Sequence, residues 1–239
     1  MLLITRPLAQ SKNLEMLLKE AGLDYALFPS FEVKKTNTKV SNKNYDVIIF
    51  ISVNSVDYAK DYFNKIFIEP FKVFAVGPIT AQRLVDNEIK VDCFPEKNAS
   101  SKELLLMKEC SELHNKKILI VRGKGGSETL QAYLSELNEV DYLEVYDRVP
   151  CEYTKLHSES VGLFLSSPKG VLMASSNENL SNTVRLLTSN NSNNLDEIKS
   201  RKLIVFSQKI QDYAQKLGFI NIKVTLNPSD QDLLNEFML

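Results

Sequence analysis

One stretch of the chain, Lys117 to Gly126, constrains the fold more than any other. It opens with an unbroken apolar run, Ile118 to Val121, and ends in Arg122 and a loop that holds three of the chain's eight glycines. An apolar run without alternation predicts a strand covered on both faces, as in a parallel sheet. The apolar residues behind the loop recur at i, i+3, i+4 and i+7 and predict a helix with one apolar stripe: Leu130, Tyr133, Leu134 and Leu137. The stretch therefore predicts one strand, loop and helix of a parallel α/β sheet.

The glycine-rich loop of this stretch suits an anion. Backbone N–H groups at the positive end of a helix, beside Arg122 and Lys124, would bind a carboxylate or a phosphate. The loop matches neither nucleotide fingerprint, because Glu128 stands where G-x-G-x-x-G needs its third glycine and no G-x-x-x-x-G-K-[ST] occurs. A tight strand-to-helix turn with solvated charges is an equally good interpretation of the loop alone.

Composition narrows the class of protein. The 239 residues are enough for one large domain or two of ordinary size, and 44% apolar with 25% charged residues is typical of a globular chain that folds in water. A net charge of -1 gives no bulk attraction to nucleic acid or to an anionic membrane, so any anion must be bound by local groups. No apolar run reaches membrane-spanning length, and three widely spaced cysteines fit the thiols of a reducing cytosol. We therefore expect a cytoplasmic protein.

Strand and helix patterns alternate throughout, and three pieces recur about half a chain apart. Phe50 to Asn54 resembles Met173 to Asn177, Leu2 to Arg6 resembles Ile118 to Arg122, and Asp24 to Phe28 resembles Asp141 to Val145. Chance can produce any one such pair, but three in the same order predict two similar α/β units.

The polar loops that follow the predicted strands belong at one edge of each sheet, where ligands of parallel sheets bind. If the two units face each other, these loops line one cleft: Arg6, Ser52 to Asn54, Gly77 to Thr80, Arg122 to Gly126 and Ser175 to Asn177.

In these residues the chain resembles the uroporphyrinogen-III synthase family of haem and other tetrapyrrole synthesis. The resemblance rests on six motifs in succession: Thr5-Arg6-Pro7, Phe50 to Val56, Ala75 to Ala81, Ile118 to Gly123 with Gly125-Gly126, Val145-Tyr146, and Ser175-Ser176-Asn177. It implies an α/β fold of two similar parallel-sheet domains of the flavodoxin or Rossmann kind, joined by two extended linker strands, with a cleft between them. Residues 1–35 and 149–239 would form a discontinuous terminal domain and residues 36–148 an inserted one, with linkers at 31–35 and 146–150.

The resemblance also implies a reaction. Family members cyclise hydroxymethylbilane, a linear tetrapyrrole rich in carboxylates, to uroporphyrinogen III with loss of water and inversion of ring D, and they need no metal or organic cofactor. The hydroxyl leaves ring A, ring D attacks to give a spirocyclic intermediate, and this fragments and recloses. Because the bilane closes uninverted without enzyme, the protein must control geometry. We expect this small molecule as the substrate of a monomer that binds neither nucleic acid nor membrane.

Tyr146 matches the linker tyrosine of the family, and we expect it to carry the proton transfer, since a phenol is protonated at neutral pH and can donate to a departing hydroxyl. A tyrosine that only packs its ring and hydrogen-bonds its tip fits the sequence as well. The expected substrate-binding residues are Arg6, Ser52, Asn54, Gly77, Thr80, Arg122, Gly123, Ser175, Ser176 and Asn177. The serines, the asparagines and Thr80 also fit helix termini, and the two arginines also fit solvated charges at strand ends.

The chain departs from the family at one loop. Where a second Gly-x-x-Thr-Ala loop is common, this chain has Phe206 to Gln211, so Ser207 or Lys209 would have to make that contact.

His114 and His157 match no catalytic position and are expected at the surface.

Two other functions fit the pattern. A two-lobed binding protein or sensor for a small anionic ligand would need the same fold without catalysis, because fold does not fix function. The variant Tyr146→Phe separates the two functions: a cyclase should lose much of its turnover, whereas a binding protein has no turnover to lose. A nucleotide-dependent transferase that holds a phosphate at Gly123 to Gly126 is disfavoured by the missing fingerprints, and a nucleotide titration tests it.

Overall fold

A computed structural model describes residues 1–41, 43–69, 71–189 and 194–239. These residues contain ten strands: β1 (Leu2–Ile4), β2 (Tyr25–Leu27), β3 (Phe31–Lys35), β4 (Val47–Phe50), β5 (Lys72–Ala75), β6 (Lys117–Gly123), β7 (Glu139–Pro150), β8 (Val171–Ala174), β9 (Lys202–Val205) and β10 (Asn221–Val224). They also contain twelve α-helices: α1 (Leu8–Glu20), α2 (Val53–Ala59), α3 (Phe63–Ile66), α4 (Pro78–Val85), α5 (Ser101–Leu106), α6 (Lys108–Ser111), α7 (Thr129–Leu134), α8 (Lys155–Ser166), α9 (Asn177–Ser189), α10 (Leu195–Ser200), α11 (Gln208–Lys216) and α12 (Asp230–Met238). No helix in this part of the chain is long and apolar enough to span a bilayer.

The chain divides into two compact units. The terminal unit contains Met1–Glu32 and Val149–Leu239, and the inserted unit contains Val33–Arg148. The first boundary falls inside β3 and the second inside β7, the two segments that the sequence analysis treats as linkers.

The terminal unit is a five-stranded parallel sheet with helices on both faces. Its strand order is β10-β9-β8-β1-β2. Apolar side chains of α8 to α11 form the core on one face, and those of α1 and α12 form the core on the other. Because β1 and β8 are covered on both faces, every residue of these two strands is buried, as their unbroken apolar runs predict.

The inserted unit repeats this architecture with the order β3-β7-β6-β4-β5. β5, β4, β6 and β7 pair in parallel. Helices α2 to α4 pack on one face and α5 to α7 on the other. The order β9-β8-β1-β2 of the terminal unit corresponds to β5-β4-β6-β7 here, which confirms the prediction of two similar α/β units.

The strand pairing sets the register of this repeat. β8 and β4 end at Ala174 and Phe50, and each of these residues pairs with the last residue of its neighbouring strand, Val205 or Ala75. Ala174 therefore corresponds to Phe50. The sequence comparison placed Met173 opposite Phe50, so the observed match is shifted by one residue.

The helix that follows β6 is shorter than the predicted stripe. Leu130 and Leu134 are buried, but Tyr133 is 50% exposed and Leu137 is 56% exposed and lies beyond the end of α7. The prediction was wrong at these two positions, because Asn138 donates from Nδ2 to the carbonyl oxygen of Leu134 and to that of Leu113 at 3.0 and 2.9 Å, which satisfies the end of a short helix.

His157 is buried, which corrects the expectation that it lies at the surface; His114 is exposed. Nδ1 of His157 lies 2.8 Å from the hydroxyl of Thr154 in the capping box at the start of α8, and Nε2 of His157 lies 2.9 Å from the carbonyl oxygen of Pro29. The polar neighbours in its sequence are therefore capping partners, not a solvated surface.

A buried polar cluster joins the ends of β1 and β8, and the sequence analysis did not find it. Thr5, Ser30 and Asn179 are fully buried. Asn179 donates from Nδ2 to the carbonyl oxygen of Thr5 at 2.8 Å and to the hydroxyl of Ser30 at 2.7 Å, while its Oδ1 accepts from the backbone of Ser175 at 2.9 Å. One side chain thus satisfies backbone groups at two strand ends.

We expect Asn179→Ala to lower the free energy of unfolding by about 2–4 kcal/mol, because it leaves several buried donors and acceptors unpaired. Urea denaturation followed by circular dichroism measures this. Asn235→Ala, at an exposed position of α12, is the matched control and should change stability by less than about 0.5 kcal/mol. Equal effects of the two substitutions would contradict the structural role of Asn179.

Candidate active site

Tyr146 lies at a break in the register between β7 and β6. Arg122 pairs with Glu144 but Gly123 pairs with Tyr146, so Val145 is an extra residue on β7. A bulge of this kind re-aims the side chain beside it. Tyr146 is only 4% exposed and belongs to the core on the α2 to α4 face of the sheet.

The ring of Tyr146 lies directly against the backbone of Gly123. A Cβ atom added at Gly123 would be 2.4 Å from Cε2 of the ring, closer than real contacts allow. Because β6 lies between β7 and β4, the side chain has to cross β6 to reach the end of β4. Its hydroxyl oxygen then lies 3.3 Å from Oγ of Ser52. The missing Cβ of Gly123 is what makes this path available.

Ser52 holds its hydroxyl in a defined place. It is the N-cap of α2, and its Oγ accepts from the backbone N–H of Ser55 at 3.1 Å, while Oγ of Ser55 accepts from the N–H of Ser52 at 3.0 Å. The ring of Tyr58 packs 5.8 Å from the ring of Tyr146, and its hydroxyl donates to the carbonyl oxygen of Val33 at 2.9 Å. The phenol of Tyr146 is therefore fixed by packing on one side and by a capping serine at its tip.

Gly77 is the N-cap of α4 and follows β5, the strand next to β4. Glycine has no side chain to cap the helix, and Pro78 follows it, so the N–H groups of Ile79 and Thr80 have no helical partner. Thr80 is 7% exposed. A Cβ at Gly77 would lie 2.3 Å from Cβ of Ala99, so packing explains this glycine.

Arg122 does not lie at the surface. Arg122 is only 1% exposed. Its Nε donates to the carbonyl oxygen of Gly123 at 3.1 Å, and its Nη1 donates to Glu128 at the same distance. Its guanidinium carbon stands 4.3 Å from the centre of the Tyr142 ring. The interpretation as a solvated charge was therefore wrong, and the expected contact with substrate has to be reconsidered.

The partners of Arg122 also interact with each other. The hydroxyl of Tyr142 donates to Glu128 at 2.5 Å. Burial and this hydrogen bond raise the pKa of Tyr142 to about 12. The same hydrogen bond, with the nearby guanidinium of Arg122, lowers the pKa of Glu128 below its usual value. At neutral pH the guanidinium of Arg122 therefore faces the anionic Glu128 and a neutral phenol, and Oε1 of Glu144 also lies 4.0 Å from its Nε.

The remaining predicted residues fall into two groups. In the inserted unit, Asn54 is half-buried in the first turn of α2. In the terminal unit, Arg6 donates from Nη2 to Asp230 at 2.6 Å and lies over the ring of Phe206, 5.4 Å from its centre. Nε of Arg6 and Oδ1 of Asn177 are buried without a hydrogen-bond partner among the described residues.

In the terminal unit, helices also begin at the carboxyl edge of the sheet. Ser176 accepts from the N–H of Asn179 at 3.0 Å, the same bond that Ser52 accepts from Ser55. Ser175 donates its backbone N–H to Asn179. Ser207 precedes α11 in extended backbone, as Gly77 precedes α4, and its side chain makes no capping bond to the described residues.

The structure thus brings Tyr146, Gly123 and Ser52 together, with Gly77 and Thr80 on the next loop of the same edge. Arg6 and Ser175 to Asn177 occupy the corresponding edge of the terminal unit. Within residues 1–41, 43–69, 71–189 and 194–239, no three His, Cys, Asp or Glu side chains are grouped so that they could hold a metal ion.

Two parallel α/β units, one with a tyrosine hydroxyl held at the carboxyl edge of its sheet, define a two-unit α/β protein with polar groups at the edge where ligands of parallel sheets bind. A family model described as uroporphyrinogen-III synthase HemD matches residues 12–235. The chain belongs to the uroporphyrinogen-III synthase family.

Individual relatives agree with this assignment. The chain is 29% identical over 166 residues to a uroporphyrinogen-III synthase of Proteus mirabilis, which covers 64% of this chain and 82% of that protein. Its fold is similar to the crystal structure of uroporphyrinogen-III synthetase from Helicobacter pylori, with a TM-score of 0.64, 16% identity and coverage of 90% and 92% of the two chains. A mutant uroporphyrinogen III synthase from Thermus thermophilus gives a TM-score of 0.57 at 14% identity over 98% and 96%.

We expect Gly123→Ala to lower kcat, because the new methyl group displaces the ring of Tyr146 from β6 and moves its hydroxyl away from Ser52. A misplacement on the order of 1 Å costs about 100-fold in rate. Turnover of hydroxymethylbilane measures the effect. Gly125→Ala is not a suitable control, because Gly125 has a φ of 64° and an alanine would be strained there. Gly162→Ala is the suitable control, because Gly162 is exposed on α8 and nothing would contact the new methyl group. It should keep wild-type turnover. Wild-type kcat in Gly123→Ala would contradict the proposed contact.

Proposed function

We propose that this chain cyclises hydroxymethylbilane to uroporphyrinogen III, with loss of water and inversion of ring D, and that Tyr146 donates the proton that leaves with the hydroxyl of ring A. One observation carries the proposal. The phenol of Tyr146 is held at the carboxyl edge of the inserted sheet by the bare backbone of Gly123 and by the capping hydroxyl of Ser52. A fixed O–H donor at this edge is the group that the first step of the reaction requires.

The geometry supplies a path for this proton. When the C–O bond to the ring A hydroxyl breaks, the oxygen takes the phenolic proton and leaves as water, and negative charge remains on the phenol oxygen. Oγ of Ser52 lies 3.3 Å from that oxygen and can turn its hydrogen toward it. A hydrogen bond to the charged form stabilises it. Ser52 is thus proposed to support Tyr146, and not to react itself.

Neutral donors are proposed to bind the substrate carboxylates in the inserted unit. The N–H groups of Ile79 and Thr80 lie at the positive end of α4, and the hydroxyl of Thr80 adds a third donor. In the terminal unit, the proposed donors are Arg6, the start of α9 at Ser175 to Asn177, and Ser207 or Lys209 at the start of α11. A net charge of -1 is compatible with such a site, because each contact is local.

Two further proposals concern the setting of the reaction. The three cysteines are free and buried, which supports the cytoplasm as the compartment. We also propose that the protein acts as a monomer.

Tyr146→Phe should lower kcat by about 100- to 10,000-fold, the usual contribution of a general acid, while KM changes little. Hydroxymethylbilane is generated in place by a coupled enzyme, and the uroporphyrinogen isomers are separated after oxidation. The matched control is Tyr45→Phe, since Tyr45 is also buried in the inserted unit but precedes β4 and donates its hydroxyl to Asp141 at 3.0 Å. It should retain turnover.

The wild-type protein should give mainly isomer III in this assay, and boiled protein should give isomer I. Isomer I at every concentration of wild-type protein would refute the cyclase. Isomer III at the wild-type rate from Tyr146→Phe would refute the role of Tyr146 and leave the activity in place.

Thr80→Val should raise KM by about 10- to 100-fold with a smaller change in kcat. The substitution keeps the shape of the side chain and removes one hydrogen bond to a charged group, which contributes about 1.5–3 kcal/mol. Steady-state kinetics measure both constants, and urea denaturation controls for stability. An unchanged KM would exclude the hydroxyl of Thr80 from substrate binding.

A further inference from the structure

Arg122 is the largest side chain among the fully buried residues of the described chain. A buried guanidinium is costly unless it is paired and hydrogen-bonded, so its place in a small unit requires an explanation. It directly follows the apolar part of β6 that pairs with β4, at the start of the glycine-rich loop.

The loop wraps around this guanidinium. Nε donates to the carbonyl oxygen of Gly123, and Nη1 donates to Glu128 and lies 3.5 Å from the carbonyl oxygen of Ser127. A Cβ added at Gly126 would lie 2.8 Å from Nη2, so the loop backbone contacts the cation there as well. Both ends of the loop are thus attached to one side chain.

Gly123, which accepts a hydrogen bond from Arg122, also lies against the ring of Tyr146. The carbonyl oxygen of Gly123 accepts from Arg122, and its Cα faces the ring of Tyr146. The next residue, Lys124, donates its backbone N–H to the carbonyl oxygen of Tyr146 at 2.9 Å. A change in the path of the loop therefore changes the surface on which the phenol rests.

We propose that Arg122 is a positioning residue for the cyclisation: its guanidinium fixes the loop from Gly123 to Glu128, and through Gly123 it fixes the phenol of Tyr146. The inference rests on the proposed function of Tyr146. It replaces the expectation that Arg122 binds a substrate carboxylate, because Nε and Nη1 donate to the loop and the guanidinium already pairs with Glu128 at 3.1 Å and with Glu144 at 4.0 Å.

The two roles predict different kinetics. A residue that binds substrate directly raises KM when it is lost, whereas a residue that places the proton donor lowers kcat. In Arg122→Lys and Arg122→Met we expect kcat to fall by about 10- to 100-fold, KM to stay within about twofold, and the share of isomer I to rise as unassisted closure competes.

Arg201→Lys is the matched control. Arg201 is half-buried, with a side chain that is 12% exposed; it donates from Nη1 to the carbonyl oxygens of Phe164 and Ser167 at 2.6 and 2.7 Å and pairs with Glu197. It precedes β9, at the amino end of the terminal sheet. Its loss should lower stability as much as the loss of Arg122 does, with unchanged kcat and isomer ratio.

A spectroscopic measurement makes the test independent of turnover. In protein labelled with [ζ-13C]tyrosine, the resonance of Tyr146 is assigned by its absence in Tyr146→Phe. We expect it to shift in Arg122→Lys and to stay unchanged in Arg201→Lys. Arg122→Lys is the milder substitution, so it gives a folded sample if Arg122→Met does not.

The outcomes separate this inference from the proposed function. If Tyr146→Phe loses turnover but Arg122→Lys keeps the wild-type kcat and the wild-type resonance, Arg122 does not position Tyr146. A tenfold or greater rise in KM at constant kcat would assign Arg122 to substrate binding and would also overturn the inference. If Tyr146→Phe is fully active, the role of Tyr146 fails, and the positioning role of Arg122 fails with it.

Discussion

The inserted unit depends on one steric fact, the close approach of the Tyr146 ring to the backbone of Gly123. Three adjacent strands contribute to it: β7 provides the ring, β6 the residue without a Cβ, and the turn after β4 the serine that the hydroxyl reaches. The bulge at Val145 sets the direction of the ring. Because strands in a parallel sheet are held at fixed spacing by their hydrogen bonds, the distance from phenol to serine is set by the sheet together with the loop that begins at Gly123.

The two units show how one architecture can serve different purposes. Leu2 pairs with Val171 as Ile118 pairs with Val47, so Arg6 corresponds to Arg122 and Pro7 to Gly123. Pro7 is the N-cap of α1, so the chain turns directly into this helix. Arg6 reaches instead to Asp230 of α12. β1 of the terminal unit is therefore followed directly by a helix at the position where β6 of the inserted unit continues into a glycine-rich loop.

Sequence patterns predicted the sheets well and the side-chain contacts poorly. Unbroken apolar runs require two covered faces, and this identified the parallel strands and their repeat. The bulge at Val145 has no local signal, since Val145 and Tyr146 are both buried and either could face the core. Burial of His157 and Asn179 depends on acceptors more than 100 residues away in sequence, at Pro29 and Thr5. No pattern of neighbours along the chain contains such a partner.

The pairing of Arg122 with Glu128 shows why a chain with almost no net charge can act on a polyanion. A guanidinium at the sheet edge would attract carboxylates strongly, but here it is buried and neutralised, and its hydrogen bonds stabilise the loop. The donors that we propose for substrate at this edge are neutral, namely backbone N–H groups and the hydroxyl of Thr80. Donors that are fixed before the substrate binds need no reorganisation during the reaction. The cation thus contributes to catalysis through the geometry it imposes, and not through its charge.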